Sequence, residues 1–252
     1  MDEEALNSRL SRISTIWTLL ANARQASQTG ARDAQLALFE RYQGAAYRYL
    51  LGAVRDPNVA DELFQEFALR CLQGGFRRAD PQCGRFRNYL KTILYHLIVD
   101  FQKRERRGPG HLESGVVQPE VPAWDPAQSD RRFIDSWRNE LLGRAWVALA
   151  ETEQRGGQPY YCVLKFRAEN PKASSGEMAA RLTEQLRPER PFTETGVRKT
   201  LQRAREHFAD LLIDDVAHSL GSPSAEELEE ELVNLELLPY CRSVLARRLG
   251  RR

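Results

Sequence analysis

The 252-residue sequence predicts an all-α protein: two small helical domains joined by a flexible linker, with helical extensions at both ends. Three observations predict it. Apolar residues recur at three- and four-residue spacing along almost the whole chain, and no segment alternates as a half-buried strand does. Proline, glycine and capping side chains stand where helices should begin and end. From Gly108 to about Asp130 the period is lost, beginning GPGHLESGVVQPEVPAWDP. So long an unstructured stretch is unusual inside one compact domain, which makes it a boundary.

The elements follow in order. Leu10, Ile13, Trp17 and Leu20 mark a helix over about 6–24, within an N-terminal extension taken as 1–32. A second helix runs over 33–54, with Leu36, Phe39, Tyr42, Ala46 and Leu50 on one side. Pro57 suits the first turn of a third, capped by Asp56 and ending before Gly74-Gly75. A loop containing Pro81 and Gly84 leads to a fourth, NYLKTILYHLIVDFQKRERR, whose Leu90, Leu94, Leu97 and Phe101 share a face. The first domain is therefore 33–107 and the linker 108–132. Helices resume over about 133–154, 158–168, 174–186 and 194–216, giving a second domain over 133–213. Residues 214–252 add an acidic helix and a short basic helix punctuated by Pro239.

Charge and cysteine usage exclude several classes. The net charge is only +2, so composition alone does not mark a nucleic-acid binder. Its distribution matters more: basic clusters at 85–107 and 197–205 stand against an acidic one at 214–231. Such clusters act within a Debye length of about 8–10 Å, and so independently of one another. Cys71, Cys83, Cys162 and Cys241 are scattered without a C-x-x-C pair, as are the four histidines, so neither a zinc site nor a disulfide framework is expected. No apolar run is long enough to span a bilayer, and the opening MDEEAL is acidic, so a cytoplasmic protein without membrane insertion is expected. No nucleophile–base grouping, metal spacing or phosphate loop stands out. The expectation is a non-enzyme without a cofactor.

Three surfaces carry candidate chemistry. On 57–72, Asp61, Gln65 and Leu69 lie one turn apart, flanked by Glu62 and Arg70. The stripe reads either as a protein-docking surface or as a solvated face with a stray leucine. Between Arg85 and Arg107, seven Lys or Arg face only Asp100 and Glu105, interleaved with Tyr89, Tyr95 and His96. Basic charge among aromatics suits a nucleic-acid backbone and unstacked bases, although a solvated amphipathic helix would look similar. Finally, Val197, Leu201, Ala204, Phe208 and Leu211 give 194–212 an inner face, leaving Arg198, Lys199, Gln202, Arg203 and Arg205 outside. With Met178, Ala179, Leu182 and Leu186 on the preceding helix, this is either a helix-turn-helix or a plain helical hairpin. Thr193 or Thr195 can cap the second helix, where backbone N–H groups favour a phosphate. The connection RPERPFT is longer than the usual tight turn.

Together the three stretches resemble bacterial sigma factors of the extracytoplasmic-function class. ADELFQEFALR (Ala60–Arg70) resembles their region 2.2. FRNYLKTILYHLIVDFQKR (Phe86–Arg104) is similar to the region that follows, with Leu90, Ile93, Asp100 and Arg104 matching, Tyr89 where Trp is usual and His96 where Asn is usual. VRKTLQRAREHFADLL (Val197–Leu212) resembles the recognition helix of region 4. The resemblance covers about 33–213 and implies a transcription initiation factor made of a region 2 bundle and a region 4 helix-turn-helix. Its partners would be core RNA polymerase, through the beta-prime and beta subunits, and promoter DNA. An anti-sigma factor or other regulator is a further partner that it admits.

The resemblance also implies residue roles. Asp61, Gln65 and Glu66, with Glu62 and Leu69 beside them, would dock on the coiled-coil clamp of the large catalytic subunit. Loop 75–87 would capture a flipped base. Arg85, Arg87, Asn88, Tyr89, Lys91, Thr92, His96, Lys103 and Arg104 would bind the opened minus-ten element. Thr195, Arg198, Lys199 and Gln202 would read the minus-thirty-five element while Arg203 and Arg205 hold phosphates. Two alternatives stand beside this reading. One is a stand-alone helix-turn-helix regulator; the other is an interaction protein that mimics a sigma factor. The helix Ala225–Leu232, with five glutamates, would act either as a mask over the second domain or as a solvated cap.

Overall fold

A computed structural model describes residues 29–72, 86–107, 126–220 and 223–250. They form nine helices and no strand among the described residues: α1 Thr29–Val54, α2 Pro57–Leu72, α3 Phe86–Arg107, α4 Pro126–Gln154, α5 Tyr160–Glu169, α6 Ser175–Leu186, α7 Glu194–Leu220, α8 Ala225–Asn234 and α9 Leu238–Arg248. The helix expected over about 6–24 and most of the expected linker lie outside the described residues. Contacts divide the chain into two compact units, Met1–Glu140 and Leu141–Arg252. Helix α4 supplies residues to both.

In the first unit the apolar stripes predicted for α1, α2 and α3 converge. Phe39, Tyr42, Ala46 and Leu50 of α1 are buried with Leu63, Phe64, Phe67 and Cys71 of α2 and Leu90, Leu94, Leu97 and Ile98 of α3. Phe64 is the hub, with ring centroids 5.8 Å from Phe39, 5.9 Å from Phe67 and 5.6 Å from Tyr47, the last edge-on. Such tilted and edge-on pairs add about 0.5–1.5 kcal/mol each beyond their area burial. The α1–α2 corner turns at Arg55, whose φ is 58°. Asp56 then caps α2, its Oδ1 accepting from the Asn58 and Val59 N–H groups at 2.7 and 3.3 Å.

The first part of α4 belongs to the same core. Trp137 is 1% exposed and stacks on Tyr42 with centroids 4.4 Å apart. Phe133 meets Tyr49 edge-on at 5.3 Å, and the Tyr49 hydroxyl pairs with that of Ser129. Burial is the main cause that pushes the Tyr49 phenol up to about 12. Arg48 and Glu140 form an ion pair, and the Glu140 carboxylate crosses so close to Gly44 that a Cβ there would collide with it. Sequence reading begins this helix at about 133, whereas it begins at Pro126. PAQSDRR carries no apolar stripe; Ser129 is held by a tyrosine rather than by hydrophobic burial.

In the second unit, Val163 and Phe166 of α5, Met178, Ala179 and Leu182 of α6, and Val197 and Leu201 of α7 make one core. Ser174 and Glu177 form a reciprocal capping box at α6, whose backbone hydrogen bond holds the Glu177 carboxyl below the ordinary range. The long α6–α7 connection has a physical reason. Arg187 ends α6 in a left-handed conformation, Phe192 folds back onto the core, and its N–H donates to Thr183 Oγ1 at 2.9 Å. Of the two threonines considered as caps for α7, Thr193 does so, accepting from the Gly196 N–H at 3.0 Å.

Helix α7 runs on to Leu220, with Ala209, Leu212, Ile213 and Val216 buried. That face is covered by α8 and α9, which contribute Leu232, Leu235, Leu237, Cys241, Val244 and Leu245. Arg247 reaches Glu206 and Asp210, while Arg248 reaches Asp210 and Asp214. Pro239 sits in the first turn of α9, where its missing N–H costs nothing. The second half of α4 joins this unit through Arg144, paired with Asp215 at 2.8 Å, and Trp146, packed on Phe208 and Tyr161.

Candidate functional site

The stripe on α2 divides into residues held by the fold and residues left outside it. Asp61 is half-buried, and its Oδ1 accepts the Tyr47 hydroxyl at 2.6 Å. Glu66 uses both oxygens, one toward Arg70 at 2.5 Å and the other toward Arg104 of α3 at 3.2 Å. Arg70 also lies 3.9 Å from Asp100. This cluster clips α2 to α3. Glu62 and Gln65 are exposed, and Leu69 is 43% exposed, one of four large apolar side chains at the surface of the described residues. Two polar side chains followed by a bared leucine form a small amphipathic face of the kind that docks on another protein.

On α3, Asn88, Thr92 and His96 are exposed at four-residue spacing and so form one straight stripe. Thr92 Oγ1 donates back to the Asn88 carbonyl at 2.9 Å. Tyr89 is half-exposed beside that stripe, and Tyr95 stands edge-on to His96 with centroids 5.4 Å apart. Lys91 is half-buried, with Nζ 3.0 Å from Asp130 of α4. Lys103 and Arg104 are exposed beyond it. Arg87 departs from the expected set: only 8% of it is exposed, so it lies off the outer face. Arg85 and most of loop 75–87 lie outside the described residues.

On α7, Thr195, Arg198, Lys199, Gln202, Arg203 and Arg205 are all exposed. Arg198 pairs with Glu194, and Gln202 donates to Glu206 at 3.2 Å, both within the helix. Exposed pairs of this kind hold a side chain only weakly, so the row is available to a ligand. The acidic helix α8 contacts α7 but leaves these residues exposed. Sequence reading missed Asp130, Glu194 and Glu206. Glu194 and Glu206 stand four residues from Arg198 and Gln202, a helical spacing that could have found them; nothing in the chain pairs Asp130 with Lys91 before folding.

Among the described residues no thiol is shifted toward the thiolate. Burial pushes Cys71 far above its ordinary value and Cys162 and Cys241 to about 11, and all three are free. Among the described residues no cluster of three or more His, Cys, Asp or Glu is placed to hold a metal, and no helix is long and apolar enough to cross a membrane.

The first unit thus exposes an amphipathic stripe on α2 and a stripe of aromatic, polar and basic side chains on α3. Residues 38–108 match the family model for Sigma-70 region 2. The match covers under a third of the chain, the part that holds α2, α3 and nearly all of the described core of the first unit. That family comprises transcription factors rather than enzymes. No curated protein and no solved structure matches the chain.

Proposed function

We propose that the chain is a transcription initiation factor of the extracytoplasmic-function sigma class. It docks on core RNA polymerase through Glu62, Gln65 and Leu69, with Asp61 and Glu66 behind them. It holds the opened minus-ten element on α3 and reads the minus-thirty-five element with α7. The observation that carries this reading is the Sigma-70 region 2 match falling on the helices that expose the two stripes. On α3 the strand would meet Asn88, Tyr89, Lys91, Thr92 and His96, with Lys103 and Arg104 on phosphates. One base stacked on Tyr89 would contribute roughly 1–3 kcal/mol toward keeping the duplex open. On α7, Thr195, Arg198, Lys199 and Gln202 reach base edges while Arg203 and Arg205 hold phosphates. The fixed turn around Phe192 sets the angle at which α7 enters the groove.

The test is transcription in vitro from genomic fragments by cognate core polymerase, with and without the full chain. Discrete start sites that appear only with the chain, and vanish with Tyr89→Ala, support the reading. A stand-alone regulator would bind duplex DNA without polymerase and need no Tyr89. A sigma mimic would bind polymerase and start nothing.

A further inference from the structure

We infer that Asp130 occupies on Lys91 the place of a strand phosphate, so that helix α4 tunes how tightly the α3 surface holds single-stranded DNA. The inference rests on the strand-binding role proposed for α3 and adds to it a residue from outside the segment similar to Sigma-70 region 2, which ends at residue 108.

Asp130 Oδ1 lies 3.0 Å from Lys91 Nζ, a direct ion pair between helices 39 positions apart in sequence. The carboxylate is not a chance visitor. On one side of it Ser129 is buried against the Tyr49 hydroxyl; on the other, Arg132 donates to the Gly52 carbonyl at 3.3 Å. Phe133 and Trp137, one and two turns further on, lock the same helix into the aromatic core. Asp130 is therefore held in place by its neighbours while its own side chain stays 57% exposed, and that of Lys91 33% exposed. A phosphate can reach the ammonium, but there it competes with a carboxylate that already takes one of the three ammonium donors and part of its charge. Because the pair is partly open to solvent, its attraction is screened, and the carboxylate acts as a graded competitor rather than a lock.

The consequence is measurable without knowing the promoter. Asp130→Asn keeps the shape of the side chain and removes its charge. Removing an exposed competing ion should tighten binding roughly two- to fivefold. It should also steepen the salt dependence of single-strand binding by about 0.7 in log–log slope, since Lys91 then releases a counterion on meeting the strand.

The experiment titrates a labelled single-stranded DNA pool of mixed sequence with the full chain, following anisotropy at several salt concentrations. Wild type, Asp130→Asn, Lys91→Ala, the double variant and Tyr89→Ala are compared, with thermal midpoints confirming intact folding. The inference expects tighter, more salt-sensitive binding in Asp130→Asn, with the gain lost when Lys91 is also replaced. If Asp130→Asn binds as wild type or more weakly while Lys91→Ala and Tyr89→Ala weaken binding, the competitor role fails and the strand-binding reading stands. A gain that persists without Lys91 shows general repulsion and likewise overturns the inference. If neither Lys91 nor Tyr89 matters, or no variant binds, the inference is overturned, while the reading beneath it is decided separately by transcription with core polymerase and Tyr89→Ala.

Discussion

The two units present their candidate binding residues in different ways. In the first, charged residues of the candidate surfaces are tied across helices: Asp61 to Tyr47, Glu66 to Arg104, Lys91 to Asp130. In the second, among the described residues, Arg198 and Gln202 pair along their own helix, and the ties between helices gather further on, where Arg247 and Arg248 meet Glu206, Asp210 and Asp214. A substitution at one of these tied residues therefore perturbs fold and surface together. In the row Thr195–Arg205 the two are separable, because the core of that unit is built from the opposite face of α7.

The largest expected effect tests whether the first unit depends on α4. Trp137→Ala should cost about 3–5 kcal/mol, since the ring is buried and stacked on Tyr42. Amide exchange should rise throughout α1–α3 while α6 keeps its protection. Trp137→Phe should cost far less: it retains the stack, and the indole N–H it removes is buried without a hydrogen-bond partner among the described residues. Equal losses from both variants would show that stacking is not what anchors α4.

A smaller effect sharpens the picture of the second unit. Ser174→Ala removes the α6 capping box and should cost about 1 kcal/mol, read as a lower thermal midpoint. Its pH dependence has a definite sign. Glu177 has a lowered carboxyl pKa in the folded chain, so its contribution is present above the ordinary carboxylate value and is lost as pH falls through the folded value. The gap between wild type and variant should narrow in acid.

Arg248→Ala should have a weaker effect still. The guanidinium reaches Asp210 and Asp214, but the side chain is 34% exposed, so a loss of about 0.5 kcal/mol at low salt that fades as salt is added is expected. A salt-independent loss would mean that the arginine stem, not its charge, holds α9 to α7.

The smallest effect concerns the thiols. Cys71 and Cys241 should resist alkylation in the folded protein and react once it is unfolded, because both are buried and their pKa values are raised. The raised values also mean that stability declines as pH climbs past the ordinary thiol value of 9.0, as the unfolded chain then gives up protons that the folded chain keeps.

Most of the helices were legible because burial follows the period of three to four. Val197, Leu201 and Ala204 face inward as their spacing demands, and Asp56 and Pro57 mark the start of α2 as expected. Two things were not legible. The first turns of α4 carry no apolar stripe, and what makes them helical is Tyr49 and Gly52, some 80 positions away in sequence. The pairs that restrain the candidate site also join distant positions, such as Arg104 with Glu66, 38 apart. Local periodicity identifies which face of a helix is outside; it does not say which exposed charges already have partners.

The account's central claim is that α2 docks on RNA polymerase. The most direct measurement is co-elution of the full chain with bacterial core RNA polymerase on gel filtration, beside a Gln65→Ala/Leu69→Arg variant. These two positions are preferable to Asp61, whose carboxylate also serves Tyr47. The account predicts co-elution of the wild type and its loss in a variant that keeps the wild-type thermal midpoint. A wild-type chain that elutes apart from the cognate core, or a variant that stays bound, would contradict it.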